Sequence, residues 1–238
     1  LPDFFASSSV TQEKKMNTKC TRIALGQVNA YAVMHSKTLL VDTGMPGSWR
    51  RIQRVMTKHD IELKSISLIV ITHAHEDHIG ELKTIHDALK VPVMMHTHAA
   101  QRYKAGQQGV LDPSNAMGRF FLRFCKDQIS HEAVPVEYEI SEEMSLEPFG
   151  VAAAVVPTPG HTPGSLSLVL PDNSAIIGDL LMGSFVFPRK PKKPFFATDM
   201  QAVRASCEEL LARGIERFYP GHGGPFNAQA VARCIGKI

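Results

Sequence analysis

Cysteine is too sparse and too scattered in this chain to staple a fold or to build a thiolate metal site. The 4 cysteines, Cys20, Cys125, Cys207 and Cys234, form no CxxC pair, so they read as reduced thiols in the core or on the surface. Long apolar runs are missing too, and no stretch has the length of a membrane-spanning helix. Charge of one sign is not in excess: a net charge of +3 is too small to argue for nucleic acid. Repeats, low-complexity tracts and an interdomain linker are also absent. The opening LPDFFASSSVTQEKK has no initiator Met and lacks the charged start and apolar middle of a signal peptide. Residues 1–20 therefore read as a tail (processed, added or frayed, with Met16 an alternative start), and residues 21–238 as one domain. The expectation is a cytoplasmic chain with no membrane or nucleic-acid partner. Monomer and homodimer both stay open.

What is present is an ordinary apolar content of 44%, enough for a sizeable core. Short apolar runs that end in turn residues recur along the chain. Ile23–Leu25, Ala30–Met34 and Thr38–Val41 read as successive strands, the last closing on Asp42-Thr43-Gly44. Residues 47–59 have helical spacing, with Trp49, Ile52, Val55 and Met56 on one face. A buried strand over 66–71 leads to a helix over 77–89 and a strand over 91–96. After a less regular region, residues 119–126 read as an amphipathic helix, and strands resume at 145–147, 151–156, 165–170 and 174–177. A basic, proline-broken loop (187–196) precedes a helix over 200–213, a strand over 217–219 and a short helix over 227–235. Strands alternating with helices make this an α/β chain.

The densest chemistry lies in Thr72–Gly80, THAHEDHIG, which packs His73, His75, Asp77 and His78 behind an apolar strand. Imidazole nitrogen and carboxylate oxygen suit zinc and similar borderline divalent ions. Three further candidate ligands each follow a strand: His161 in TPGHTPGS, Asp179 in IIGDLL and His222 in YPGHGG. Glycine beside a ligand in three of the four turns lets the backbone bend sharply and approach a metal. His96 and His98 form another HxH pair, but the ligand set is complete without them. His35, His59, His86 and His131 have no convergent partners and read as solvent-facing or hydrogen-bonded.

This ordered series resembles the metallo-β-lactamase fold superfamily, whose HxHxDH signature stands here as His73, His75, Asp77 and His78. The resemblance runs from about Ile23 to Pro225. It implies a four-layer αββα sandwich with the metal site at one edge of two sheets. It also implies two divalent metal ions, zinc first, with iron or manganese as alternatives. By the same resemblance His73, His75 and His161 hold one ion, Asp77, His78 and His222 the other, and Asp179 bridges. A hydroxide shared by the ions then acts as nucleophile, Asp77 shuttles a proton to the leaving group, and Asp42 of VDTG orients a ligand imidazole from behind.

Resemblance fixes chemistry better than substrate, because one scaffold carries many reactions. True β-lactamases of this fold generally place cysteine or serine where Asp179 stands. The expectation is therefore a glyoxalase-II-like or lactonase-like hydrolase of an ester, thioester or lactone, with β-lactam cleavage as a side activity. Neither subfamily fits fully. The sequence stops short of the C-terminal helical domain of large glyoxalase II enzymes, and Leu180, Leu181 and Met182 stand where lactonases usually carry a tyrosine. A mononuclear iron persulfide dioxygenase, which uses part of the same ligand set, is the alternative. Aromatics in the two least regular segments are candidate pocket walls: Phe120, Phe121, Phe185 and Phe187 first, then Phe124, Phe195 and Phe196. The loop cations Arg189, Lys190, Lys192 and Lys193 read either as a solvated surface or as a lure for an anionic substrate.

Overall fold

The computed structural model describes residues 17–183 and 187–238. Two mixed six-stranded sheets lie face to face with helices on their outer sides. In chain order the first half comprises β1 (Lys19–Ala24), β2 (Asn29–Met34), β3 (Thr38–Val41), α1 (Trp49–Lys58) and β4 (Ile66–Val70). It continues with α2 (Glu76–Ile79), α3 (Leu82–Leu89), β5 (Val93–His96), α4 (Thr97–Lys104), α5 (Ala116–Leu122) and β6 (Tyr138–Ile140). The second half comprises β7 (Met144–Ser145), β8 (Ala154–Pro157), β9 (Leu166–Leu170), β10 (Ser174–Gly178), β11 (Met182–Gly183) and β12 (Pro191–Lys192). It closes with α6 (Met200–Ala212), β13 (Arg217–Pro220), β14 (Phe226–Asn227) and α7 (Ala228–Ile235).

Side-chain alternation along the central strands creates the four layers. Tyr31, Val33, Leu39, Val41, Leu68 and Val70 point inward, where they meet Val155, Leu166, Leu168 and Ile176 of the other sheet. Their neighbours Ala30, Ala32, Leu40 and Ile69 point outward onto Ile52 and Met56 of α1 and Leu82 and Ile85 of α3. On the far side, Ala175 and Ile177 of β10 pack against Cys207 and Leu210 of α6 and Val231 of α7. Each fully buried Val, Leu, Ile or Met among them stabilises the fold by roughly 1.5–3 kcal/mol.

Strand order brings the ligand-bearing ends together. The first sheet runs β1-β2-β3-β4-β5-β6 and the second β14-β13-β10-β9-β8-β7. β8 is antiparallel to β9 and β9 to β10, while β10 is parallel to β13. The C-terminal ends of β8, β10 and β13 therefore share one edge of the second sheet.

Several boundaries differ from the sequence reading. β1 begins at Lys19, two residues inside the stretch read as tail, whose residues 1–16 lie outside the described residues. The helix expected over 77–89 is two, because other elements take its carbonyls. The Thr43 N–H and hydroxyl both donate to the His78 carbonyl at 2.8 Å, and His131 Nε2 donates to the Ile79 carbonyl at 2.8 Å. α5 starts at Ala116 because the Asn115 side chain accepts from the Gly118 N–H, and it stops at Leu122. The strand expected over 145–147 gives way to a 3-10 turn at Glu147–Phe149, and β8 begins at Ala154 rather than 151.

Candidate metal centre

Every candidate ligand lies just beyond the end of a strand. His73 and His75 follow β4, and α2 carries Asp77 and His78. His161 follows β8, Asp179 follows β10 directly and His222 follows β13. Their side chains meet in three overlapping groups, each with ligand atoms within 4.8 Å of one another: His73, His75 and His161; His73, His78 and Asp179; Asp77, His78 and His222. The seven residues picked from the sequence thus form one cluster.

Each imidazole is held from its far side. The Val110 carbonyl lies 3.0 Å from His75 Nε2, the Phe196 carbonyl 2.6 Å from His161 Nδ1, and the Gln27 carbonyl 2.8 Å from His222 Nδ1. A carbonyl can only accept, so those ring atoms are N–H donors. Asp42 Oδ2 accepts from His78 Nδ1 at 2.8 Å and from the Thr72 hydroxyl at 2.8 Å, while Asp42 Oδ1 accepts from the Thr72 N–H. With its proton spent on Asp42, the Thr72 oxygen accepts from His73 Nδ1 at 3.1 Å. All five imidazoles therefore present their second nitrogen to the centre.

His161 Nε2 and His75 Nδ1 lie 3.0 Å apart with both ring protons committed outward. Two lone pairs face each other there. His73 Nε2, His78 Nε2 and Asp179 Oδ1 are buried with no hydrogen-bond partner among the described residues. His222 Nε2 sits 3.1 Å from Asp77 Oδ2 and 3.2 Å from Asp179 Oδ2. The bare acceptors among these, His73 Nε2, His75 Nδ1, His161 Nε2 and Asp179 Oδ1, need a cation, and the donor set as a whole fits a pair of divalent ions.

Burial and charge divide the cluster. Burial, reinforced by neighbouring imidazoles, pushes His73 well below its ordinary range and His75 down to about 3, and burial also lowers His161. Burial acts the same way on His78, but Asp77, Asp42 and Asp179 together overcome it and raise His78 to about 9. Burial is likewise overcome at His222, which Asp179 and Asp77 hold well above its ordinary value. For Asp77 and Asp179 burial favours the neutral acid, yet the nearby histidines hold both far down and ionised.

A cavity of about 820 Å³ opens on His75, Asp77, His161, Asp179 and His222. Phe121 lines it, as do Phe124, Phe195 and Phe196. Phe120 and Phe187 do not: they turn to solvent at 49% and 64% exposure, and Phe185 lies outside the described residues. His96 and His98 stack on each other with rings 5.4 Å apart and belong to none of the three ligand groups. Sequence reasoning missed the carbonyls of Gln27, Val110 and Phe196, because a main-chain acceptor leaves no residue signature. It also missed Gly221, where a Cβ would collide with Asp179 Oδ1 and the His78 ring.

The family model of the metallo-beta-lactamase superfamily matches residues 23–222. The chain belongs to that superfamily. It is 29% identical to a probable metallo-hydrolase of Methanocaldococcus jannaschii over 82% of this chain and 87% of the relative. It is 26% identical to the probable metallo-hydrolase YflN of Bacillus subtilis over 80% and 77%. Among solved structures, a di-iron-bound form of TTHA1623 is 25% identical, with a TM-score of 0.63, covering 90% of this chain and 98% of that one. A metallo-beta-lactamase of Cronobacter sakazakii, 19% identical with a TM-score of 0.65 over 92% and 87%, shares the fold. Hydrolysis assisted by divalent metal is the chemistry that the superfamily, these relatives and the histidine–aspartate cluster support together. No helix among the described residues is long and apolar enough to cross a membrane.

Proposed function

We propose that the chain uses two divalent metal ions, zinc in the first instance, to hydrolyse an ester, thioester or lactone bond in a small molecule. The observation that carries this reading is the set of five inward imidazole nitrogens, His73 Nε2, His75 Nδ1, His78 Nε2, His161 Nε2 and His222 Nε2, gathered around two carboxylates. His73, His75 and His161 would hold one ion, and Asp77, His78 and His222 the other, with Asp179 between them. A bound pair of this kind lowers the pKa of water toward neutrality and polarises a carbonyl.

The chain's own residues do the rest. Asp77 is the carboxylate most open to the cavity, at 32% side-chain exposure against 8% for Asp179. It can therefore take up a proton and hand it to the departing oxygen or sulfur. Asp42 fixes the ring plane of His78. Leu111, Phe121, Phe195 and Phe196 give the cavity apolar walls that accept an acyl group and thin the water around the bond. Asp179, in place of the cysteine or serine of true β-lactamases, supports ester-type chemistry, with β-lactams as side substrates.

Elemental analysis of the purified chain, combined with a panel of lactones, thioesters, esters and β-lactams before and after chelation, tests this. Two ions per chain and chelator-sensitive cleavage of an ester-type bond are expected. A single iron with oxygen consumption on a persulfide would shift the reading to the dioxygenase, and cleavage of β-lactams alone would overturn it.

A further inference from the structure

A second recess, of about 890 Å³, adjoins the metal cavity, and the two share Met182, Gly183 and Phe195 as a wall. Lys190, Lys192, Lys193, Arg233 and Lys237 line it, and no acidic side chain does. These five positive charges exceed the +3 of the whole chain, so the rest of the molecule is net acidic. Some cations elsewhere on the surface are paired, Arg102 with Asp127, Arg204 with Glu208, Arg213 with Glu143 and Glu209, while others such as Arg50, Arg51 and Arg54 stand apart from any carboxylate but line no recess with the five. Among the described residues none of the five has a carboxylate partner.

Two elements build this concentration from opposite sides. Ala230, Arg233 and Cys234 recur at helical spacing on one face of α7, and Lys237 continues that face beyond its end. The helix C-terminus favours Arg233 and Lys237 there, but it does nothing for the three lysines opposite. Those are brought over by the pairing of β12 with β11, which sets Lys192 beside Met182 and Pro191 beside Gly183. Like charges gathered without counter-charge repel one another, and an anionic ligand relieves that repulsion.

We propose that this recess is a subsite for the phosphate-bearing end of the substrate, so that one molecule places its anion among the lysines and its scissile bond at the metal centre. The inference rests on the hydrolase reading above and narrows it to esters or thioesters with a phosphorylated distal group. A concave recess sharing a wall with the reaction cavity suits a small molecule better than an extended polyanion such as RNA.

Fluorescence anisotropy of pyranine, a trisulfonate dye with little affinity for metals, measures the subsite without any chemistry. The metal-replete protein is expected to bind the dye, inorganic phosphate to displace it, and the triple variant K192Q/K193Q/R233Q to bind at least tenfold more weakly with its circular dichroism and metal content retained. Equal dye affinity in the variant overturns the proposal, as does far better displacement by a single-stranded RNA oligomer than by phosphate. In turnover, S-acetyl-4′-phosphopantetheine should be preferred over S-acetylpantetheine through KM, and the triple variant should lose at least tenfold of that preference. An unsubstituted protein that hydrolyses esters yet binds no dye sinks the subsite alone. Charge-dependent dye binding in a protein that hydrolyses no ester sinks the hydrolase reading and leaves the anion site standing.

Discussion

The two halves of the proposed metal centre are built from opposite electrostatics. His73, His75 and His161 form a buried, all-imidazole group, reached from the cavity through His75 and His161, in which burial holds the rings neutral. Asp77, His78 and His222 form a mixed group that meets the cavity through Asp77 and His222, where carboxylates keep both imidazoles protonated when no cation is present. A cation entering the first half meets bare lone pairs. One entering the second must expel protons: with His78 at about 9, that costs about 3 kcal/mol at pH 7 from this ring alone. On the proposed reading the first half would anchor an ion and the second would be where protons move.

The comparison can be broken most severely at Asp179, the carboxylate between the halves. Asp179→Ala should lower the content of both ions in elemental analysis and take hydrolysis below detection. Two ions per chain in this variant would mean that the halves load independently. Next in size, Asp77→Ala should reduce kcat by about 10²–10⁴-fold while the ion in the all-histidine half remains. Unchanged turnover in metal-replete Asp77→Ala protein removes Asp77 from proton transfer. Smaller again, Asp42→Asn should weaken metal binding about 10–100-fold in the mixed half, with a lesser loss at His73, which Asp42 reaches through Thr72, read as separation of two binding steps in a calorimetric titration. A uniform loss across both steps would place Asp42 behind the whole centre rather than behind His78.

The smallest effect is in pH dependence. His78 and His222 are raised in the folded protein, so the stability they contribute is complete below the unfolded value of 6.5. That contribution drains as pH rises toward about 9. His73, His75 and His161 are lowered, so they destabilise the fold as pH falls below 6.5 toward the about 3 of His75. Thermal melts of metal-free protein at pH 5, 7 and 9 should peak near the middle, and bound metal should flatten the curve above pH 7. A metal-free Tm that climbs steadily to pH 9 would contradict the protonated state assigned to the mixed half.

Sequence carried the ligands because each one follows an apolar strand and sits beside a turn residue, so a local pattern marks a long-range meeting point. Boundaries were lost wherever a distant group intervened. The break between α2 and α3 depends on Thr43 and His131, far from that segment in sequence. β6 lies mostly exposed and owes its extension to pairing with β5 rather than to apolar alternation. α4 follows β5 without an intervening turn, so no local signal marks its start at Thr97. The aromatic walls were half legible: α5 and its loop announce phenylalanines, but only docking against the 195–196 segment turns Phe121 inward and leaves Phe120 in solvent.

The ligand rings are gripped through the main chain at Gln27, Val110 and Phe196, and a peptide oxygen is indifferent to the side chain it accompanies. Three loops around the cavity can therefore exchange their side chains under selection without loosening the histidines they steady. New specificities become accessible by small steps, because the lining is free to drift while the reactive core stays in place.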